Sequence, residues 1–228
     1  MPLIIAIDGP AAAGKGTLAR RLAQHFNLPY LDTGLLYRAV ARRVIEAGHN
    51  PADADAAIAA ARTLKPEDTA RTDLRGPPVD EAASLVASVP AVRAALLDFQ
   101  RSFGHANGAV LDGRDIGTVI FPNAQAKLYV TASVEERGRR RWAELRARGV
   151  AADRAAITAE VHARDAADRA RAAAPMKPAD DALLLDTTAL DADAAFATAL
   201  DLINARLGKQ ASGGVVRSTL SRDGPGAL

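Results

Sequence analysis

Gly9-Pro10-Ala11-Ala12-Ala13-Gly14-Lys15-Gly16-Thr17 is the first stretch of the chain whose residue types and spacing could do chemistry. Glycines at both ends of such a loop let backbone N–H groups turn inward onto an anion. A helix starting behind the loop would present its positive end to the same anion. Lys15 can reach the β- and γ-phosphates of a nucleoside triphosphate, so Gly9 to Thr17 reads as an ATP-type phosphate loop. Thr17 is the hydroxyl that could meet a Mg²⁺ ion, directly or through water. One position departs from the usual pattern. Gly16 stands directly after Lys15, where Ser or Thr is customary, and the hydroxyl comes one residue later. Asp8, just before the loop, is either a metal-side carboxylate or a plain strand-end residue.

The elements that must position this loop are legible around it. Leu3 to Ile7 is a continuous apolar run, as for a strand buried on both faces. Thr17 to His25 reads as a helix, Pro29 to Asp32 as a short strand, and Leu35 to Ala47 as a second helix ended by Gly48. Strand, loop, helix and strand in this order open an α/β domain with a parallel sheet. Ala109–Asp112, Ala126–Val130 and Ala182–Leu185 supply further strands. Helices are expected over 51–61, 81–88, 91–103, 134–148, 153–171 and 193–207. The span 63–80 holds Pro66, Gly76, Pro77 and Pro78 and reads as a surface excursion or small lobe. The Gly- and Ser-rich segment 208–228 reads as a mobile tail.

Composition narrows the function classes. The chain has 228 residues, about half of them apolar, enough for one sizeable core, or one core with small appended lobes. There is no cysteine, which rules out disulfides and thiolate metal sites, and four scattered histidines form no metal pattern. A formal charge of +2 does not by itself point to nucleic acid. The first apolar run is too short to span a bilayer, so a cytoplasmic protein is expected, with no membrane and no nucleic-acid partner.

Four further segments extend the chemistry. Asp32-Thr33-Gly34-Leu35-Leu36-Tyr37-Arg38 follows the second strand. Ser84 and Arg93 lie on the helices after the excursion. Asp112-Gly113-Arg114-Asp115-Ile116-Gly117-Thr118-Val119-Ile120-Phe121-Pro122 follows the third strand. Arg164-Asp165-Ala166-Ala167-Asp168-Arg169-Ala170-Arg171 comes near the end. Together with the loop, these segments resemble the bacterial cytidylate kinases, nucleoside monophosphate kinases, from about Leu3 to Leu207. The resemblance implies a three-layer phosphate-loop core with a parallel five-stranded sheet. It implies a single kinase domain over 1–207: a core of 1–50 and 81–207, a monophosphate lobe at about 51–80, and a lid at about 134–150. It implies transfer from ATP to CMP or dCMP with Mg²⁺, and a monomer is the default for such a fold.

Residue by residue, the resemblance places Thr33, Tyr37, Arg38, Ser84, Arg93, Arg114, Asp115, Arg164 and Asp168 on CMP. It places Gly9 to Thr17 with the lid residues Arg137, Arg139 and Arg140 on ATP, and makes Lys15, Arg114, Arg164 and Arg171 the catalytic cations. The lobe span 63–80 is short and Pro-rich for the family. The 208–228 segment has no counterpart in the family pattern.

The chemistry accepts these residue types. Phosphoryl transfer needs positioning and charge stabilisation more than covalent help. An acceptor that is itself a phosphate, with a second pKa of about 6, is largely ionised at neutral pH and needs no general base. Arginine's flat fork suits the crowding of several phosphates. Asp115 could accept from an exocyclic amine on a pyrimidine edge, and Asp168 from a sugar hydroxyl. Taken singly, each residue has an ordinary alternative. Arg137 to Arg148 could be a solvated helix face, Arg164 and Asp168 a helix pair, Ser84 a surface serine, and Tyr37 and Trp142 packing residues. A same-fold kinase for another acceptor, and a phosphate-loop regulator without turnover, remain alternatives at this level.

Overall fold

The structure, a computed structural model, describes residues 2–215. Five parallel strands form one sheet in the order β2-β3-β1-β4-β5: β1 (Ile4–Asp8), β2 (Tyr30–Asp32), β3 (Ala109–Asp112), β4 (Ala126–Thr131) and β5 (Leu183–Asp186). The central strand β1 is buried throughout, as a β-branched run flanked on both sides should be. Its residues alternate between two cores. Ile5 and Ile7 pack on α1 (Lys15–His25) and α8 (Ala192–Val215), through Leu18, Leu22, Ala199 and Ile203. Ile4 and Ala6 face the other way, onto Leu111, Ile116, Ile120 and Phe121, with Leu97 and Phe103 of α5 (Pro90–Asn107) packed against them. These are the three layers of the expected α/β fold.

A third apolar cluster joins α5 to α2 (Thr33–Glu46), α3 (Ala54–Arg62) and α4 (Pro77–Ser88), through Leu36, Val40, Val44, Ala61, Val86 and Leu96. The excursion over 63–80 is therefore more regular than its sequence suggests. It holds a 3₁₀ turn at Pro66–Ala70, and α4 begins at Pro77, before the expected Glu81. Prolines are well placed there, because the first helical positions have no intrahelical acceptor for an N–H. Between β4 and β5 lie α6 (Val134–Ala147) and α7 (Arg154–Ala170). Ser133 and Asp153 cap them by accepting from the N–H groups of Glu136 and Ala156. Trp142 packs on α6 and donates Nε1–H to the Ala152 carbonyl at 3.0 Å, pinning the α6–α7 connection.

Helix α8 runs on past Leu207, where it was expected to end, and continues to Val215. The extension carries three glycines, Gly208, Gly213 and Gly214, each costing a helix about 1 kcal/mol relative to alanine, offset in part by the helix formers Lys209, Gln210 and Ala211. The remainder of the expected tail, 216–228, lies outside the described residues.

Candidate active site

The loop turns where left-handed backbone is needed. Gly9 has φ +138°, and a Cβ there would lie 1.9 Å from the Val130 carbonyl oxygen of β4, so no other residue fits. Ala12 (φ 60°) and Gly14 (φ 86°) complete the turn, and Gly14 leads into α1. Lys15 is buried and its ammonium donates to the Pro10 carbonyl at 2.8 Å, spanning the loop. Burial, and after it the nearby Arg114, push this ammonium below the usual lysine range. A polyphosphate would restore that charge.

The glycine after the lysine has a local cause. A Cβ at Gly16 would stand 3.3 Å from Asp112 Oδ2, a tight contact that a serine there would relieve only by shifting the carboxylate a few tenths of an ångström. Asp112 and Asp32 are register partners at the ends of β3 and β2. Tyr30 Oη donates to Asp112 at 3.1 Å, and Thr33 Oγ1 to the Asp112 carbonyl at 2.8 Å. Thr17 is exposed on α1 and lines a wide groove with Arg20, Arg21, Gln24 and Tyr30. Asp8 is a strand-end residue: its two oxygens accept from Ile116 and Gly117, each at 2.7 Å. That contact bends the segment after β3 into a wide π turn, Ile116–Ile120.

Beside this loop lies a small cavity of about 60 Å³, lined by Thr33, Tyr37, Arg93, Arg114, Asp115, Arg164, Asp168 and Arg171, with Ala83 and Ala87. Four guanidinium groups face two carboxylates here, an excess of two positive charges. Arg114 Nε donates to Asp168 at 2.9 Å, and Arg171 holds the other oxygen of the same carboxylate. Against the cost of burial, Arg114 and Arg171 keep the Asp168 carboxyl below its ordinary range. Arg93 pairs with Asp115 and stacks over the Tyr37 ring, 5.3 Å from its centre. Arg164 is the unspent group. Burial, then Arg114, lower its pKa to about 10, and its buried Nε has no partner among the described residues.

The other expected residues take different places. Ser84 does not line the cavity; its hydroxyl bonds back to the Asp80 carbonyl at 3.4 Å, and Ala83 and Ala87, four apart on the same helix, face the cavity instead. Arg38 is turned to Asp80 and to the Leu74 carbonyl at 3.2 Å. Arg137 is not a free lid arginine. It is buried against Asp165 at 2.6 Å and donates to the Ala132 and Ala11 carbonyls at 2.9 and 3.2 Å, fastening α6 to the loop. Arg140 reaches Thr187, 3.0 Å to its hydroxyl and 2.6 Å to its carbonyl, and Thr187 in turn donates to Ala13 of the loop at 3.2 Å. Arg139 is half exposed and forms a bidentate pair with Glu136, both bonds 2.7 Å. Sequence reasoning missed Thr187, whose signal was its position just after β5, and Asp80 and Asp165, whose arginine partners are remote in sequence.

The model of the family described as cytidylate kinase matches residues 5–205 of this chain. The chain belongs to the cytidylate kinase family. It is 63% identical over 203 residues to the cytidylate kinase of Acidiphilium cryptum, covering 89% of this chain and 96% of that one. It is equally similar, 63% over 203 residues, to the cytidylate kinase of Granulibacter bethesdensis, with 89% and 97% covered. A gluconokinase from Sinorhizobium meliloti shares the fold at a TM-score of 0.51 and 12% identity, over 95% of this chain and 98% of that one. Within the cytidylate kinase family, the wide groove beside Thr17 is the weaker candidate for the acceptor. Arg21 there is committed to the Ala192 carbonyl at 2.7 Å and to Asp193, whereas the arginine cavity holds converging buried charge.

Proposed function

We propose that this member of the cytidylate kinase family transfers the γ-phosphoryl group of ATP to CMP and dCMP, with the acceptor in the arginine cavity and ATP on the loop. The observation that carries the reading is the cavity's four arginines and two aspartates beside Lys15, with a buried Arg164 Nε awaiting an acceptor atom. An excess of two positive charges suits a phosphate carrying up to two negative ones. The acceptor's ionised phosphate oxygen attacks the γ-phosphorus in line, the bond to the bridging oxygen breaks, and ADP leaves with CDP or dCDP formed. No proton has to be removed, so no general base is required.

Lys15, Arg114, Arg164 and Arg171 oppose the charge that spreads over the transferring group. Arg93, Asp115 and Tyr37 frame the base, where the Asp115 carboxylate can accept from the cytosine amine. Mg²⁺ would bind with ATP and neutralise β- and γ-oxygens. The hard oxygen donors Asp112 and Asp32, beside the loop lysine, fit it, since this ion takes one or two carboxylates together with substrate phosphates. Thr17 stays the hydroxyl candidate on the same helix.

The reading includes a core, an acceptor lobe at about 51–80 and a lid at about 134–150, working as a cytoplasmic monomer on free nucleotides. Among the described residues no single helix is long and apolar enough to cross a membrane. A coupled assay of ADP release with CMP, dCMP, UMP, AMP and shikimate as acceptors tests it. CMP and dCMP are expected to give the highest kcat/KM. Preference for another acceptor, or ADP release indifferent to all of them, would reject the assignment.

A further inference from the structure

Asp80 sits in the first turn of α4, and its two carboxylate oxygens are held by two arginines from other elements, Arg38 of α2 and Arg141 of α6. All three side chains are largely buried, with 13%, 14% and 20% exposure for Asp80, Arg38 and Arg141. Among the described residues, Arg141–Asp80 is the one ion pair that ties α6 to α4. The cation side of this contact is crowded. Burial, then Arg164 and Arg75, lower the Arg38 pKa to about 9, and Arg141 adds to the same repulsion. Arg164 nearby still has its unpartnered Nε. Glu144 also holds Arg141 at 2.7 Å and Asp32 holds Arg75 at 2.9 Å, so among the described residues Asp80 is the one carboxylate in an ion pair with Arg38. A phosphate brings nearly twice the charge and three acceptor oxygens.

We propose that Asp80 is an internal counter-anion that clasps the lid helix to the acceptor lobe and competes with the acceptor's phosphate for Arg38. This rests on the proposed CMP kinase activity and on the expectation, from the family resemblance, that Arg38 meets the acceptor, here through its phosphate. Part of the binding energy of CMP is then used to break the Arg38–Asp80 and Arg141–Asp80 pairs. Weakening the clasp makes the site easier to occupy, because a competing intramolecular anion is removed. It also parts α6 from α4 while Arg137 and Arg140 keep α6 on the loop, and Trp142, the single tryptophan of the chain, stands next to Arg141 and reports on that contact.

Asp80→Asn keeps the shape and removes the charge. Its KM for CMP is expected to fall several-fold with kcat changed less than twofold, and the CMP-induced change in Trp142 fluorescence is expected to shrink. Asp80→Glu, which restores the charge, is expected to return KM and the fluorescence change toward wild type, and thermal unfolding of both variants checks that each is folded. A KM for CMP that rises or stays the same in folded Asp80→Asn overturns the proposal. Arg38→Ala separates the two readings. If it raises the KM for CMP at least tenfold while Asp80→Asn does not lower it, only the clasp is wrong. If Arg38→Ala leaves KM unchanged, Arg38 does not touch the acceptor and the clasp fails, while the acceptor's place in the arginine cavity is judged separately by Arg114→Ala.

Discussion

Arg114→Ala is expected to lower kcat with CMP by about 10³ or more, since an arginine placed on the charge of a transferring phosphoryl group is worth about that much. The side chain is 19% exposed, its Nε is spent on Asp168 at 2.9 Å, and one terminal nitrogen donates to the Gly113 carbonyl at 3.1 Å. It is thus rigidly held before any substrate arrives, which is the condition for a cation to stabilise developing charge without reorganising. Its removal leaves Asp168 with Arg171 as its remaining ion-pair partner. That second partner keeps the carboxylate compensated, so the variant should fold, with a lower unfolding midpoint in urea. Arg114→Lys retains the charge but not the fork, and is expected to recover only part of the loss. Steady-state rates at saturating ATP and CMP measure it; wild-type kcat in folded Arg114→Ala would remove Arg114 from the chemistry.

Lys15→Ala is the second large effect, with kcat expected to fall by about 10²–10³, the usual result of deleting one preorganised donor from a charge-stabilising site. The lysine is buried, bridges the loop to the Pro10 carbonyl, and is kept from its ordinary basicity by burial and by Arg114. An ammonium in that state gains more from an arriving polyphosphate than an exposed lysine does. Affinity for ATP should therefore fall together with kcat. Calorimetric titration with ATP alone distinguishes this from a loss confined to turnover. Because the loop backbone depends on Gly9 and Gly14 rather than on the lysine, the fold should survive. Unchanged ATP affinity and unchanged kcat would mean that the loop holds its phosphates without Lys15.

Much of this site was readable because its signals are local. The loop's glycines and lysine stand within a few residues of each other, and so do the elements on either side of them. The same holds for Asp112 to Asp115 and for Arg164 to Arg171, which bring Arg114, Arg164, Asp168 and Arg171 to one cavity. What could not be read depends on partners chosen by the tertiary fold. Arg137 belongs to a run of charge that looks solvated in sequence, yet Asp165 and the Ala11 carbonyl bury it. Ser84 was expected in the cavity, but the helix phase turns Ala83 and Ala87 inward. Asp80 has no local signature at all, because both arginines that define it lie on other helices. The start of α4 at Pro77 was hidden by prolines that read as loop but serve equally well in a helix's first turn.

The most direct test is a crystal structure of the protein with CMP and a non-hydrolysable ATP analogue. The account predicts the cytosine beside Arg93 and Asp115, the CMP phosphate bonded to Arg114 and to Arg164 including its Nε, and the triphosphate in the Gly9–Thr17 loop with Lys15 turned from Pro10 onto it. CMP bound in the groove of Arg20, Arg21 and Tyr30, or a CMP phosphate that leaves Arg114 and Arg164 without contact, would contradict it.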